Sequence, residues 1–568
     1  MDEPRGIQVQ SSSSDRKRWS VVLAALLMLS LLAAACGGSG GESGSDGGGG
    51  SGEEADAEAG TPTPGGKVTY ALEAENSEGW CLPEAQLAIS GIQVGRAIYD
   101  TLTAPNEDAE YVPFLAKTIE SNPEFTEWTL TLREGITFHD GTPLDATVVK
   151  NNLDAFRGQY PARKPLLFIF VFQNIKDVTV VDPMTVQITT NTPWASLPAA
   201  LYGSGRIGMM AQAQLDDAAT CDTNLIGTGP FKLVEWRQNE SFLAERNPDY
   251  WQTDADGQQL PYLDEIEFRP IIEVSARING LIGDEVDAIQ VSSGEAIDDL
   301  RAETEAGNIN SYESDKFAEV TFAQMNTSVA PFNNKNARMA IIKAMDMETF
   351  NQTRNLGVLQ NANGPFAPGG IGYLEDTGYP TYDLEGAKEA VAAYKAETGE
   401  DLEFTLLGTP DAPTQASMAL AQQMGEKAGI KVTISSLEQA ALVSTAISGD
   451  FQAMVFRNYP GGDPDAQYNW WKSGSPVNFA RFSDPDIDRL LDEGRATADK
   501  DQRQQIYGDI NKRFASEGYS MWLQWVMWDI GTATDVHGVL GPDLPDDAGG
   551  PFPGLATGHP VSGLWVES

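Results

Sequence analysis

Between residues 402 and 457 the chain alternates strand-like and helix-like patterns, and few folds accept that order. Residues 402–407 (LEFTLL) read as a strand. Ala416, Leu420, Met424 and Ala428 recur at helical spacing, and Gly429 stands where a C-cap would end that helix. A strand at 430–434, a helix at 437–447 and a strand at 451–456 follow. Just upstream, Asp383 is placed to cap a helix running to about Tyr394. A β-α-β-α-β order predicts a parallel sheet with right-handed crossovers. In open α/β sheets ligands sit beyond the carboxyl ends of the strands. The segment past the last strand, 457–465 (RNYPGGDPD), is a Gly/Pro loop followed by Trp470 and Trp471, the kind of loop that carries function.

Other strand candidates are 67–73 (KVTYALE), 128–132, two runs within 178–189 around Asp182-Pro183, 266–271 and 319–325 (EVTFAQM). Ser483 and Asp486 have capping-box spacing with Pro485 in the first turn, predicting a helix through Leu490 and Leu491. A second helix is predicted over 501–514, with Ile506 and Ile510 on one face, and an aromatic-rich strand over 521–528. A chain of 568 residues is too long for one ordinary core. Its formal charge of −44 excludes nucleic-acid binding through a basic footprint. Three Cys and three His leave little for a structural zinc or iron–sulfur centre.

The first residues are an address. Arg16, Lys17 and Arg18 precede an apolar run over 21–35, too short to span a bilayer, that ends in Ala33-Ala34-Ala35-Cys36. This end resembles the lipobox of bacterial lipoproteins, with Ala33 where that pattern prefers Leu. The resemblance implies a signal peptide at 1–35 and lipid attachment at Cys36. Residues 36–65 are Gly, Ser and acidic, then Thr-Pro-Thr-Pro, and are expected to form a disordered tether. Export places Cys81 and Cys221 in an oxidising compartment, where a disulfide between them is expected, with free buried thiols as the alternative.

Several landmarks stand in one order: 97–102 (AIYDTL), 113–116 (PFLA), 128–143 (WTLTLREGITFHDGTP), 227–231 (GTGPF) and 247–251 (NPDYW). The series resembles the peptide/nickel-type (family 5) extracellular solute-binding proteins of ABC importers, from Gly66 to about Trp528. The resemblance implies an α/β two-lobed periplasmic-binding-protein clamshell with a discontinuous first lobe. Lobe I would comprise 66–90, 185–270 and 515–568, the extra subdomain 91–184, and lobe II 271–514. It implies a monomeric extracytoplasmic receptor, lipid-anchored to the bacterial cell membrane, which closes on a peptide or similar small organic solute and delivers it to a permease and its ATPase. Peptide binders of this kind often hold the ligand's amine with an Asp in the loop corresponding to 457–465. Gly461 falls near that place here, with Asp463 at the following Asp-Pro.

The candidate ligand-binding residues are therefore Trp80, Tyr459, Asp463, Trp470, Trp471, Trp522 and Trp525. Aromatic walls bind by area and shape, although each of these rings also suits a core; Trp128 and Trp528 are assigned to the core. Asp463 and Asp465 flank Pro464 and serve equally as turn formers. Residues 203–208 (GSGRIG) match GxGxxG but lack the preceding strand and the acid about 20 residues on, so a loop is expected. Asp484, Asp486 and Asp488 mimic the start of a calcium loop, but Arg489 and Arg495 stand at its sixth and twelfth places. His139 in FHDGT reads as part of a turn. No HExxH or GxSxG is present, and no catalytic residues, metal or cofactor are expected. The competing readings are an exported hydrolase acting on peptides or glycans, and a surface sensor or chaperone domain.

Overall fold

The computed structural model describes residues 56, 59–76, 79–85, 87–459 and 461–567, all within the compact unit Gly49–Ser568. The expected signal peptide over 1–35 and the expected lipidation residue Cys36 lie outside them. No helix among the described residues is long and apolar enough to cross a membrane.

One mixed sheet of eleven strands organises the body. Its path runs 431–436, 403–408, 453–458, 310–325, 520–532, 288–291, 67–72, 265–270, 241–246, 231–237, with 360–361 added on 520–532. Two parallel groups sit in it. Glu403–Gly408 pairs in parallel with Lys431–Ser436 and Ala453–Asn458. Lys67–Leu72 pairs in parallel with Glu265–Pro270 and Ala288–Val291. Between the groups run two long antiparallel strands, Asn310–Met325 and Ser520–Thr532. The alternation read at 402–457 thus builds one half of the sheet, and the N-terminal strand is the middle strand of the other parallel group. Asn310–Met325 is far longer than the predicted 319–325, because its first half carries Ser, Glu and Asp that give no apolar signal. Its register against Ser520–Thr532 shifts between Ser314 and Glu319, a bulge in which Phe317 takes a positive φ of 51°.

A separate antiparallel sheet is ordered 116–121, 127–132, 185–190, 175–182. It extends past the boundary expected at 184, since Thr185–Thr190 is the hairpin partner of Ile175–Asp182. Likewise Ala288–Val291, expected in the second lobe, pairs with Tyr70 and Ala71 of the first strand. The end expected to be tether is tied to the body: Gly65 N donates to Tyr262 O at 2.8 Å and Tyr312 Oη to Asp56 Oδ1 at 2.7 Å. Cys81 and Cys221 form a disulfide across 140 residues of sequence.

Helix ends follow side-chain chemistry. Asp383, Asp411 and Asp499 accept hydrogen bonds from first-turn amides of the helices Leu384–Thr398, Ala412–Lys427 and Lys500–Glu517. For Pro485–Ala496 the cap is Asp484, bonded to the amides of Asp486 and Ile487, not Ser483. Asp484 outcompetes its neighbour because its other oxygen is also used, by Arg513 and Tyr519.

Asp529, opposite Glu313 on the central strand pair, is fully buried and accepts from Ser311 Oγ at 2.8 and 2.9 Å. Burial pushes its carboxyl up to about 7. A carboxyl whose folded pKa is raised favours folding most below its unfolded value and loses that advantage as pH rises through the folded one. The melting temperature of wild type relative to Asp529→Asn is therefore expected to fall between about pH 4 and pH 7, equivalent to about 2–4 kcal/mol. A difference that stays flat across that range would contradict this assignment.

Candidate functional site

Strand ends from both halves of the sheet meet at one place. Glu73 follows Lys67–Leu72 and Ser292 follows Ala288–Val291, both at carboxyl ends of parallel strands. Arg457 lies near the carboxyl end of Ala453–Asn458, in the other parallel group. Its Nη2 reaches Glu73 Oε1 at 3.4 Å and its Nη1 reaches Ser292 Oγ at 3.4 Å. Beneath it, Arg457 Nε lies 2.7 Å from Glu319 Oε2, too far off line for a hydrogen bond, so that contact is an ion pair. The guanidinium also lies 5.2 Å from the centre of the Trp528 ring. Glu319 follows the bulge in the long strand, which turns its side chain into this crevice.

The electrostatics are uneven. Burial pushes the Glu319 carboxyl up, with Arg457 opposing and Glu73 adding to the shift. Arg206 comes from the turn after the helix Leu197–Tyr202, within the GSGRIG loop. Its Nε donates to Leu87 O at 2.7 Å. No carboxylate stands within ion-pair distance of it among the described residues. Burial lowers its pKa to about 10, with Glu319, Tyr202 and Tyr459 acting against that shift, so it stays cationic at neutral pH. Arg206 is thus a half-buried cation with terminal donors left over. Tyr459 and Tyr202 complete the surround, and the Tyr202 ring lies 5.8 Å from Tyr111.

Of the residues singled out from sequence, Tyr459 stands at this crevice and the others do not. Trp80 is buried against Trp236 and Phe242 at 5.8 and 5.2 Å. Trp471 packs on Phe514 at 4.9 Å, Trp522 on Phe322 at 5.3 Å, and Trp470 on Phe479 at 5.1 Å. Trp525 is buried and donates to Gly364 O at 3.2 Å. Trp80, Trp471, Trp522 and Trp525 are buried in cores and Trp470 is partly buried against two of them, positions in which each ring covers apolar area. Asp463 is gripped by Arg503 through two hydrogen bonds of 2.6 Å and accepts from the Asp465 amide, which leaves it little capacity for a ligand ammonium. Asp465 is held by Arg495 and by Trp194 Nε1, each at 2.8 Å. His139 is bonded to the Gly227 amide and to Gly229 O, and burial lowers its pKa to about 4; it is a turn residue. Among the described residues no group of three or more His, Cys, Asp or Glu is placed to hold a metal ion.

None of Glu73, Arg206, Glu319 and Arg457 is a binding candidate in the sequence: the first and third only end or open a predicted strand, and the other two only belong to loops. One signal was present for Glu319, a charge opening an otherwise apolar strand run. A wide depression of about 1460 Å³ lies elsewhere. It is an open acidic groove whose Lys117 and Arg133 both pair with Asp546, and no parallel strand ends converge on it.

The model for bacterial extracellular solute-binding proteins, family 5 Middle, matches residues 110–479. The chain is 26% identical over 440 residues, 75% of this chain and 81% of the relative, to the probable D,D-dipeptide-binding periplasmic protein DdpA of Escherichia coli K12. It is 25% identical over 441 residues, 74% and 81% of the two chains, to the glutathione-binding protein GsiB of Pectobacterium atrosepticum. Among solved structures, AgaA in complex with agropinic acid, from A. tumefaciens R10, superposes with a TM-score of 0.75 at 25% identity, covering 89% of this chain and 99% of that one.

Proposed function

The chain belongs to the bacterial extracellular solute-binding proteins of family 5, and from that premise we propose that it captures a peptide-like solute bearing a carboxylate and delivers it to the permease and ATPase of an ABC importer. It is a binding protein and not an enzyme. The observation that carries the reading is Arg206, a half-buried cation with no carboxylate within ion-pair distance among the described residues, whose charge acts on Glu319 and Tyr459 near the place where strand ends of both halves meet. A solute carboxylate supplies the missing counter-charge through paired hydrogen bonds. A solute ammonium finds Glu73 and Glu319, in competition with Arg457. A dipeptide, glutathione and an organic acid, the guests named for the three relatives, share a carboxylate.

Capture is a shift of a hinge equilibrium toward the closed form by a guest that prefers it. The two lobes assigned are 66–90 with 185–270 and 515–568, and 271–514, with 91–184 as extra subdomain; Ala288–Val291 and Thr185–Thr190 argue for moving those borders by a strand each. The long strands 310–325 and 520–532 are the natural hinge, since both run between the parallel groups. A lipid on Cys36 would hold the receptor near its permease and raise its effective concentration. Native mass spectrometry of the purified chain is expected to find a retained organic acid or short peptide of unaltered mass. A retained metal ion alone, or a product of cleavage, would exclude the reading.

A further inference from the structure

We infer that Arg457 takes the place of a guest's ammonium, so that the receptor selects carboxylate-bearing solutes whose nitrogen is uncharged: N-acylated peptides and related acids without a free amine. The inference rests on the peptide-like, carboxylate-bearing reading above and names its substrate class. Arg457 stands on the strand Ala453–Asn458, opposite Thr321 of the long strand Asn310–Met325, so a rigid element carries it. Its guanidinium is held on several sides: Glu73 and Ser292 each lie at 3.4 Å, Glu319 at 2.7 Å and the centre of the Trp528 ring at 5.2 Å. Ser292 Oγ donates in turn to Glu73 Oε2 at 3.3 Å. A cation of this chain therefore already sits where the two acids converge.

The carboxylates of the loop 457–465 are taken in the same manner. Arg503 holds both oxygens of Asp463 at 2.6 Å, and Arg495 and Trp194 hold those of Asp465 at 2.8 Å. Glu73, Glu319, Asp463 and Asp465 thus each face an arginine. Arg206 has no carboxylate within ion-pair distance among the described residues and bonds only to Leu87 O. The charge left for a guest to balance is therefore positive.

Access follows the same order. The Arg457 side chain keeps 36% of its surface exposed and Glu73 25%, whereas Glu319 keeps 7%. A guest can touch the guanidinium, but it reaches Glu319 only by displacing it. An ammonium would meet a fixed like charge and give up its hydration without a free counter-charge. An acyl nitrogen carries no charge. The acyl carbonyl can accept from the guanidinium, which presents more N–H donors than the contacts above use. Arg457 thus discriminates by repelling the wrong guest as well as by fitting the right one.

The test offers the full-length receptor an equimolar mixture of random dipeptides and the same dipeptides N-acetylated, and reads retained masses by native mass spectrometry. Wild type is expected to favour the acetylated set by about tenfold, a modest share of what a desolvated like-charge meeting costs. Arg457→Gln frees Glu73 and Glu319 and shifts the ratio toward free amines. Arg457→Lys keeps the positive charge and the direction of the wild-type preference. A wild-type preference for free amines, or the same ratio in Arg457→Gln as in wild type, overturns the role of Arg457 and leaves the carboxylate receptor standing. The wild-type ratio decides the matter even where Arg457→Gln fails to fold. Retention of neither set by wild type overturns both.

Discussion

Arg206→Gln is expected to weaken solute binding by about 30- to 1000-fold while leaving the melting temperature close to that of wild type. The loss corresponds to about 2–4 kcal/mol, the usual cost of truncating one partner of a desolvated charge pair. The fold should tolerate the change because Arg206 makes one hydrogen bond, to Leu87 O, and no ion pair among the described residues. Removing a partly buried cation without a counter-ion also relieves its desolvation. Arg206→Lys should recover only part of the affinity, because an ammonium cannot reproduce paired bonds to a carboxylate. Calorimetric titration with the solute that co-purifies checks both. Equal affinity in wild type and Arg206→Gln would remove Arg206 from the site.

Arg503→Gln carries the largest expected stability cost. Asp463 and Arg503 form a two-bond ion pair with both side chains about nine-tenths buried. The coupling drives the Arg503 pKa above its usual range against the pull of burial. Removing one partner strands the other charge, which costs about 3–5 kcal/mol, whereas removing both together costs much less. Urea denaturation is expected to show that loss for Arg503→Gln and a partial recovery in the double variant Asp463→Asn, Arg503→Gln. A loss below about 1 kcal/mol would mean that solvent reaches the pair.

The alternation at 383–457 was legible because each element there is local: a cap, an apolar period and a terminating glycine lie within about twenty residues. The sheet order was not. Nothing in 67–72 announces that it pairs with 288–291 and 265–270, and the long strand 310–325 hides half its length behind polar residues. The site is scattered for the same reason. Glu73, Arg206, Glu319 and Arg457 converge only after the two parallel groups are set on either side of the central strand pair. Tryptophans near a Gly/Pro loop looked like a binding wall, yet large rings gain most from full burial, and that gain decided their place. Asp463 looked free because its partner lies forty residues on, on a helix face. Tyr459 was legible because a loop at a strand's carboxyl end is where this architecture opens.

The claim on which the rest depends is that a carboxylate-bearing guest sits intact against Arg206 between the two halves. Native mass spectrometry of wild type and Arg206→Gln, purified in parallel, tests it most directly. The expected result is one organic guest of unaltered mass on wild type and its loss from the variant. A guest retained equally by both, or recovered in altered form, would contradict the account.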